Sequence, residues 1–531
     1  MIKVLLSNSL CTIVDGVLPT GAIAFFTHKY GTRQKSRMTG RLEAVEKQIS
    51  LFDTYNNTFP SGLVYQFDDY LFENHGIRLN IVDRRFGPEP KNILSPNFTT
   101  TAFQHQAEAV TSALDFGRGI IVCPTGSGKT RIALTIIAEL GLKTLYLINS
   151  LDLLSQTKAE LEKCFPGQDI GIIGDSEFNP KYITVATIQT LWARFNLPET
   201  QDFLKSIEVL IGDEVHHVGA NVNYKASRGR PSERYPGNSL YSVIQAASNA
   251  FYRFGFSATI GRKGTLRRVF LDATIGKPIY VMTYEQTKAT GILADVIVLM
   301  LKTPHLKRFS NYPTAYTENV QRNNWVHNQA ARISLLLAEK NKSSLLFVNR
   351  LHTQEKSLDS NGFAKSKKVA GHAKILFSLF ESIARGKVKL LTGEIPESER
   401  NRIRDLICNK KVLTAITTIM KEGIDIPSLD ATIYLGGGRA ETDNSFVSES
   451  NAAIQALGRA LRNPGGIKNQ KRAIHIDIFY NDGKGFLAKH ALERVSSYKE
   501  YGYRVFLVDE INIIQYIFDW FNSGEIDCDE M

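Results

Sequence analysis

The sequence predicts an α/β protein in which two tandem parallel-sheet domains follow a small α+β domain. Residues 100–280 and 297–477 each alternate short apolar runs with helical patterns, which is typical of parallel strands covered by helices on both faces. The first 95 residues differ, because they combine short strand candidates and turn signals with one helical candidate. A length of 531 residues agrees with several domains, since one domain usually contains about 100 to 200 residues.

The apolar runs give the predicted strands. In the first parallel-sheet domain they read GIIVC, KTLYLIN, YITVAT and IEVLIGDE, and in the second SSLLFVN, KVKLLTG, VLTAIT, ATIYLGG and RAIHIDIF. The residues after them contain helical patterns and one further strand candidate. These patterns predict four regions, which are 1–95, 96–284, 285–478 and a C-terminal extension packing on the second parallel-sheet domain, 479–531.

Composition limits the classes of partner and compartment. Lys and Arg outnumber Asp and Glu by 64 to 53, a surplus that favours polyanionic partners. The five cysteines are scattered without a CxxC pair, so neither a disulfide framework nor a structural zinc site is expected. No apolar run approaches the roughly 20 residues that span a bilayer, and the apolar N-terminus is broken by polar residues. A soluble cytoplasmic protein without a membrane partner is therefore expected.

The segment CPTGSGKT lies between an apolar strand and a helical pattern, the context that a phosphate-binding loop requires. Backbone N–H groups of such a loop bind the phosphates of ATP at a helix N-terminus. Lys129 is expected to reach the β and γ oxygens, and the Thr130 hydroxyl is expected to bind Mg²⁺. The residues predicted to bind the nucleotide here are Thr125, Gly126, Ser127, Gly128, Lys129 and Thr130.

Two acidic residues, Asp213 and Glu214, end the apolar strand of IEVLIGDEVHH, and ligands of open α/β sheets bind at such carboxyl ends. Asp213 is expected to bind Mg²⁺, and Glu214 is expected to orient or deprotonate the attacking water. A solvated acidic pair is the alternative. His216 is expected to couple to the nucleotide, and no zinc role is expected for His216 and His217, because no further ligands stand at ligand spacing.

Two arginines in QALGRALR, Arg459 and Arg462, are three residues apart, so a helix would place both on one face. Two guanidinium groups facing the nucleotide would stabilise charge on the γ-phosphate during hydrolysis. The alternative is a pair of solvated helix arginines.

Five segments, CPTGSGKT, DEVH, FSAT, TTIMKEGIDIP and QALGRALR, resemble motifs I, II, III, V and VI of superfamily-2 helicases in their order and spacing. The resemblance covers about residues 103–477 and implies two RecA-like motor domains. It implies nucleotide contacts by Gln106, Gly423, Asp425 and Gln455, coupling of nucleotide state to domain closure by Ser257 and Thr259, and nucleic-acid contacts by Gln156 and Thr187. In the strand-contacting motif LINSLDLLSQ, Asn149 replaces the usual proline.

A narrower resemblance lies in the N-terminal region. The segment FPSGLVYQFDDYLFENHGIRLNIVD is similar to phage UvsW-type branch-migration helicases. This resemblance implies remodelling of branched DNA, such as forks, D-loops, R-loops with their RNA hybrids and Holliday junctions, in recombination, replication and repair. Three alternatives stay open: a duplex-translocating motor of a restriction system, an RNA helicase and a non-enzymatic nucleic-acid-binding scaffold.

Two basic segments are candidates for nucleic-acid binding. The first, HKYGTRQKSRMTGR, contains no acidic residue, and the second follows DEVHH. A solvated basic face or loop is the alternative for both. The residues predicted to contact nucleic acid are Lys29, Arg33, Lys35, Arg37 and Arg41 in the first segment, and Arg228 and Arg230 in the second.

Overall fold

The computed structural model describes residues 2–35, 42–91, 93–98, 102–215, 239–258, 265–349, 352–358, 364–419, 426, 428–438, 452–464 and 466–531. The chain divides into two compact units, of which the first runs to Met282 and the second from Thr283, two short segments excepted.

The N-terminal part of the first unit contains a four-stranded sheet with the order β5-β2-β1-β6, in which β1 is antiparallel to β2 and parallel to β6. A separate antiparallel ribbon is formed by β3 and β4. The elements are β1 (Ile2–Leu6), β2 (Leu10–Asp15), β3 (Thr27–Lys35), β4 (Leu42–Ser50), β5 (Thr58–Pro60), α1 (Val64–His75) and β6 (Leu79–Asp83).

The remainder of the first unit is an eight-stranded sheet with the order β10-β9-β11-β8-β12-β13-β7-β14, parallel except for β10. Its strands are almost wholly apolar because helices cover the sheet. The elements are α2 (Gln104–Phe116), β7 (Arg118–Val122), α3 (Lys129–Leu140), β8 (Thr144–Ile148), α4 (Leu151–Cys164), β9 (Ile170–Gly174), β10 (Glu177–Asn179), β11 (Ile183–Thr187), α5 (Ile188–Ala193), α6 (Pro198–Lys205), β12 (Val209–Asp213), α7 (Ser239–Ala246), β13 (Tyr252–Ser257), α8 (Leu266–Thr274) and β14 (Pro278–Val281).

The two parts of the first unit share one hydrophobic core. Buried side chains of the N-terminal part, such as Val4 and Phe67, belong to the same cluster as Leu240 and Phe270 beside the parallel sheet. Polar contacts join them as well, since Arg118 at the start of β7 donates to Ser61 Oγ (2.8 Å) and Asn8 O (3.3 Å). The N-terminal part is therefore packed as a layer of the first unit.

The second unit contains a seven-stranded parallel sheet with the order β19-β20-β16-β21-β22-β15-β23 and a second isolated ribbon, β17–β18. Its elements are α9 (Tyr284–Ala289), β15 (Asp295–Lys302), α10 (Tyr312–Tyr316), α11 (Asn324–Glu339), β16 (Ser344–Phe347), β17 (His352–Leu358), β18 (Ala364–Ala370), α12 (His372–Ile383), β19 (Val388–Leu391), α13 (Glu397–Cys408), β20 (Thr414–Thr417), β21 (Ala431–Tyr434), α14 (Ala452–Gly458), β22 (Arg472–Phe479), α15 (Phe486–Glu500), β23 (Arg504–Val508) and α16 (Ile513–Asn522).

The predicted α/β class with two parallel sheets is confirmed. Strand β23 lies within the predicted C-terminal extension, and it pairs with β15 as the edge strand of the second sheet. No helix in the described ranges has both the length and the apolar character needed to cross a membrane.

Three buried histidines are expected to make the second unit less stable in acid. Burial lowers the pKa of His327 to about 4, of His372 to about 3 and of His475 to about 4. The rings of His327 and His372 lie 5.1 Å apart, and within the described residues neither ring nitrogen of His372 has a hydrogen-bond partner. The folded unit therefore holds these rings neutral at a pH where the unfolded chain protonates them.

The free energy of unfolding of the second unit is expected to be greatest above pH 6.5. It should decrease as the pH falls from 6.5 towards 4. At pH 5 each buried histidine is expected to lower the free energy of unfolding by about 2 kcal/mol relative to its value above pH 6.5. Urea unfolding of a Trp192→Phe chain reports this unit alone, because the two remaining tryptophans, Trp325 and Trp520, both belong to it. His372→Phe should flatten the pH dependence; equal urea midpoints for the parent at pH 7.5 and 5 would contradict the prediction.

Candidate active site

Adjacent carboxyl ends of parallel strands bring the predicted nucleotide-binding residues of the first unit together. Strand β13 lies between β12 and β7, so the ends of these three strands share one edge of the sheet. Asp213 ends β12, Ser257 ends β13, and the phosphate loop follows β7. The Ser257 carbonyl accepts a hydrogen bond of 3.1 Å from the backbone of Cys123, which fixes the start of the loop against β13.

The phosphate loop has the backbone geometry that its glycines permit. Gly126 and Gly128 both adopt φ of +89°, and Gly128 is the N-cap of the 12-residue helix α3. A methyl group on Gly128 would overlap the amide nitrogen of Gln106. Gln106 is buried in α2, where its Oε1 accepts from the Phe103 backbone (3.1 Å). Gln106 therefore lies directly against the loop.

Lys129 begins α3, and its Nζ donates to the Cys123 carbonyl at 3.2 Å. This bond closes the loop on itself and keeps the ammonium group at the helix N-terminus. Thr130, the predicted Mg²⁺ ligand, is the next residue of the helix. Both side chains are half-buried. A helix N-terminus with a lysine beside it is a suitable site for phosphate.

Asp213 and Glu214 form an acidic pair beside this lysine. Burial and the charge of Glu214 raise the pKa of Asp213 to about 7, while Lys129 and the Glu214 backbone N–H, which donates to Asp213 Oδ1 (2.9 Å), lower it by less. Glu214 adopts φ of +47°, a left-handed conformation that costs a non-glycine residue free energy and occurs often at active sites. The surrounding structure therefore stabilises a backbone conformation at Glu214 that is unfavourable by itself.

Asn149 was not predicted to belong to this site. It follows β8, which neighbours β12, and its Nδ2 donates to the Asp213 carbonyl at 3.4 Å. Gln189 in turn donates to the Asn149 carbonyl (2.9 Å). Asn149 thus links the two segments that are predicted to contact nucleic acid to the acidic pair. The sequence signal was a polar residue at the end of a central strand.

Two of the predicted nucleic-acid contacts in the first unit, Gln156 and Thr187, differ in their exposure to solvent. Gln156 is exposed on α4, where its Nε2 donates to Glu160 (3.3 Å). Thr187 ends β11 and is buried, and its hydroxyl caps α5 by accepting from Thr190. The hydroxyl of Thr187 therefore serves the helix start, and only Gln156 faces solvent.

In the second unit, Gln455 lies in α14, but the prediction that Arg459 and Arg462 share one helix face is wrong. Helix α14 ends at Gly458, Arg459 lies in the following turn, and Arg462 forms an isolated β-bridge with Leu293. The helix stops because the chain leaves it to pair with the segment before β15. The catalytic role of the two arginines stays a prediction.

Several predicted residues lie outside the described part of the chain, so the structure gives them no position. They are Arg37, Arg41, His216, Arg228, Arg230, Thr259, Gly423 and Asp425. Arg33 and Lys35 lie in β3, of which only the backbone is described at these positions. Lys29, in the same strand, is exposed and forms an ion pair of 2.9 Å with Glu46 of β4.

Comparisons with known proteins show which helicases and translocases the chain is similar to. Residues 99–262 match the family model "Type III restriction enzyme, res subunit". The chain is 26% identical over 393 residues to the DNA 3'-5' translocase XPB2 of Sulfurisphaera tokodaii, covering 70% of this chain and 80% of the relative. It is 24% identical over 450 residues to the probable helicase D10 of Escherichia phage T5, covering 84% and 85%.

The crystal structure of T4 UvsW is similar over 96% of this chain and 99% of that chain, with 17% identity and a TM-score of 0.39. With the phosphate loop and the acidic pair described, the sequence matches indicate an ATP-hydrolysing helicase, similar to the helicases of superfamily 2.

Proposed function

We propose that the chain hydrolyses ATP and uses the free energy to remodel branched DNA. The observation that carries the proposal is the phosphate loop beside the acidic pair in the first unit. The residues assigned to the site are Gln106, Lys129, Thr130, Asp213, Glu214, Gln455, Arg459 and Arg462.

The donor set suits Mg²⁺ bound together with a nucleotide. Asp213 and Glu214 are adjacent, and Lys129 is the cation that lowers the pKa of Asp213, so a divalent cation would relieve their repulsion. Among the described side chains, no group of three or more His, Cys, Asp or Glu residues forms a complete metal site. Asp213 and Thr130 would therefore hold the ion jointly with phosphate oxygens, and the bound ion would neutralise phosphate charge.

The chain's own residues supply positioning and proton transfer. The N–H groups at the start of α3 and the Lys129 ammonium bind the β- and γ-phosphates. The Glu214 carboxylate orients the attacking water and accepts its proton. Arg459 and Arg462 stabilise the charge that develops on the γ-phosphate.

The β3–β4 ribbon is the proposed DNA contact. Residues 27–50 contain six basic and two acidic residues, and the ribbon belongs to neither larger sheet of the first unit. Two strands alone are only marginally stable in water, so a polyanionic partner bound to the basic residues would stabilise the ribbon. The DNA translocase among the relatives favours DNA over RNA. A restriction-system motor is the second candidate, favoured by the family model that matches residues 99–262.

The test is steady-state ATP turnover with single-stranded DNA, duplex DNA, a synthetic four-way junction and RNA of matched length. Stimulation is expected to be greatest with the junction. Stimulation by duplex DNA alone would favour the restriction-system motor, and stimulation by RNA alone would exclude the DNA assignment.

A ribbon variant localises the contact. Arg33→Ala with Lys35→Ala is expected to weaken junction binding and to reduce the slope of log affinity against log salt by about 2. The charge-swapped control, Lys181→Asp with Asp169→Lys, retains the net charge and exchanges the partners of a surface ion pair outside the ribbon. Equal salt slopes in the parent and the arginine–lysine variant would remove the ribbon from the DNA site.

A further inference from the structure

A run of three glycines, Gly436–Gly438, follows β21 at the carboxyl edge of the second sheet. The chain then passes through residues 439–451, outside the described ranges, to α14 with Gln455 and to the two arginines beyond it. The run is therefore the last described segment of the second unit before α14.

Three side chains from separate elements hold the backbone at this run, and we call them the glycine clamp. Asn349 follows β16, Tyr480 follows β22, and Arg494 lies in α15. Each donates to a different carbonyl group. The bonds run from Tyr480 Oη to Leu435 O (3.0 Å), from Asn349 Nδ2 to Gly436 O (3.0 Å) and from Arg494 Nη1 to Gly438 O.

Arg494 is itself fixed by a buried network. Its Nε and Nη2 donate to the two oxygens of Asp477 at 2.7 and 3.0 Å, and both side chains are almost fully buried. Tyr498 donates to Asp477 (2.9 Å) and is hydrogen-bonded to His475 (2.8 Å). Burying such an ion pair costs desolvation free energy that its attraction only partly offsets, so its stabilising value alone is a weak reason for its presence.

The glycine run fits without free space. A methyl group on Gly436 would overlap the Tyr434 hydroxyl, and one on Gly437 would lie 2.9 Å from Val320. Gly437 also adopts φ of +62°. Helix α14 in turn packs against β21 and α15, so the element that carries Arg494 also contacts the element that carries Gln455.

We propose that Arg494 is a positioning residue for ATP hydrolysis, because it holds α15 and the chain end of β21 in place, and α14, which carries Gln455 and leads to Arg459 and Arg462, packs against both. Asn349 and Tyr480 act on α14 through the same strand, since they fix the carbonyl groups that directly follow β21. The inference rests on the proposed function, since it requires the arginines to act on the nucleotide.

The test uses the full chain with a four-way junction and measures kcat, KM for ATP, and affinities for ADP and for ADP–aluminium fluoride. Arg494→Gln with Asp477→Asn removes both buried charges together, while Asn349→Ala and Tyr480→Phe each remove one uncharged clamp bond. Each change is expected to lower kcat about tenfold to a hundredfold. Each should also lower the affinity for ADP–aluminium fluoride, the transition-state analogue, while the affinity for ADP stays unchanged.

The matched control is Lys410→Gln with Asp430→Asn, an ion pair at the opposite, amino edge of the same sheet. It should destabilise the unit without lowering kcat. In an Arg459→Ala, Arg462→Ala background, the clamp variants should cause a smaller further loss, because only Gln455 then remains to be positioned. Clamp variants that lower kcat no more than the control would overturn the positioning role. Normal turnover in Arg459→Ala alone would overturn the arginine assignment in the proposed function, and the inference with it.

Discussion

Replacing Lys129 by alanine is expected to lower ATP turnover by a factor of about 100 to 1,000 while the first unit remains folded. The ammonium group lies at the N-terminus of α3, where it would contact oxygens whose negative charge increases during hydrolysis. Its hydrogen bond to the Cys123 carbonyl is a single neutral-acceptor bond on a half-buried side chain, so its loss should cost little stability.

Turnover and nucleotide affinity should both be measured, because Lys129 contacts the phosphates of bound ATP and of the transition state. Lys158→Ala is the matched control, since it removes a lysine of α4 whose ion pair with Glu162 lies on the helix surface. The control should retain parental turnover. Normal turnover in Lys129→Ala would show that CPTGSGKT is not the nucleotide site.

Replacing Glu214 by glutamine is expected to lower turnover by about 10² to 10⁴, because the amide cannot accept a proton from the attacking water. Nucleotide binding should remain, since the phosphate loop and Lys129 are unchanged. Isothermal titration with ADP and steady-state turnover separate the two effects. Glu160→Gln is the matched control, because Glu160 also acts electrostatically on Asp213 but lies on α4.

The backbone of Glu214 allows a sharper form of this test. Its φ of +47° is strained for glutamate and unstrained for glycine, so Glu214→Gly is expected to retain or raise the free energy of unfolding, by up to about 1 kcal/mol. The same variant should be inactive. A glycine variant that is both destabilised and active would contradict the role of this residue.

The sequence was sufficient for the fold class because wholly apolar strands and helical periodicity are local signals. The phosphate loop and Asp213 could be predicted for the same reason, since each is a short segment at a strand end. The course of the chain around Arg462 could not be predicted from the sequence, because α14 ends where the chain pairs with Leu293, a contact distant in sequence. The roles of Asn149, Asp477 and Arg494 were not predicted, because the hydrogen-bond partners of each side chain depend on which strands are neighbours in the sheet.

Apolar periodicity predicts that a helix or strand has an apolar face, but it does not predict which other element packs against that face. The predicted boundary at residue 95 rests on a change of pattern, yet Phe67 and Phe270 belong to one core. Arg118 likewise appears as an ordinary basic residue until its bonds to Asn8 and Ser61 are seen.

The hydrophobic core shared by the N-terminal part and the parallel sheet limits how the protein can be truncated and how its regions can evolve. A chain cut near residue 95 would leave Leu240, Tyr241 and Phe270 in water, and would be prone to aggregate whatever the state of its phosphate loop. A chimera that exchanges N-terminal regions between relatives must therefore carry the matching α7 and α8 surface with them. The two layers should change together in evolution, as the halves of one folding unit do.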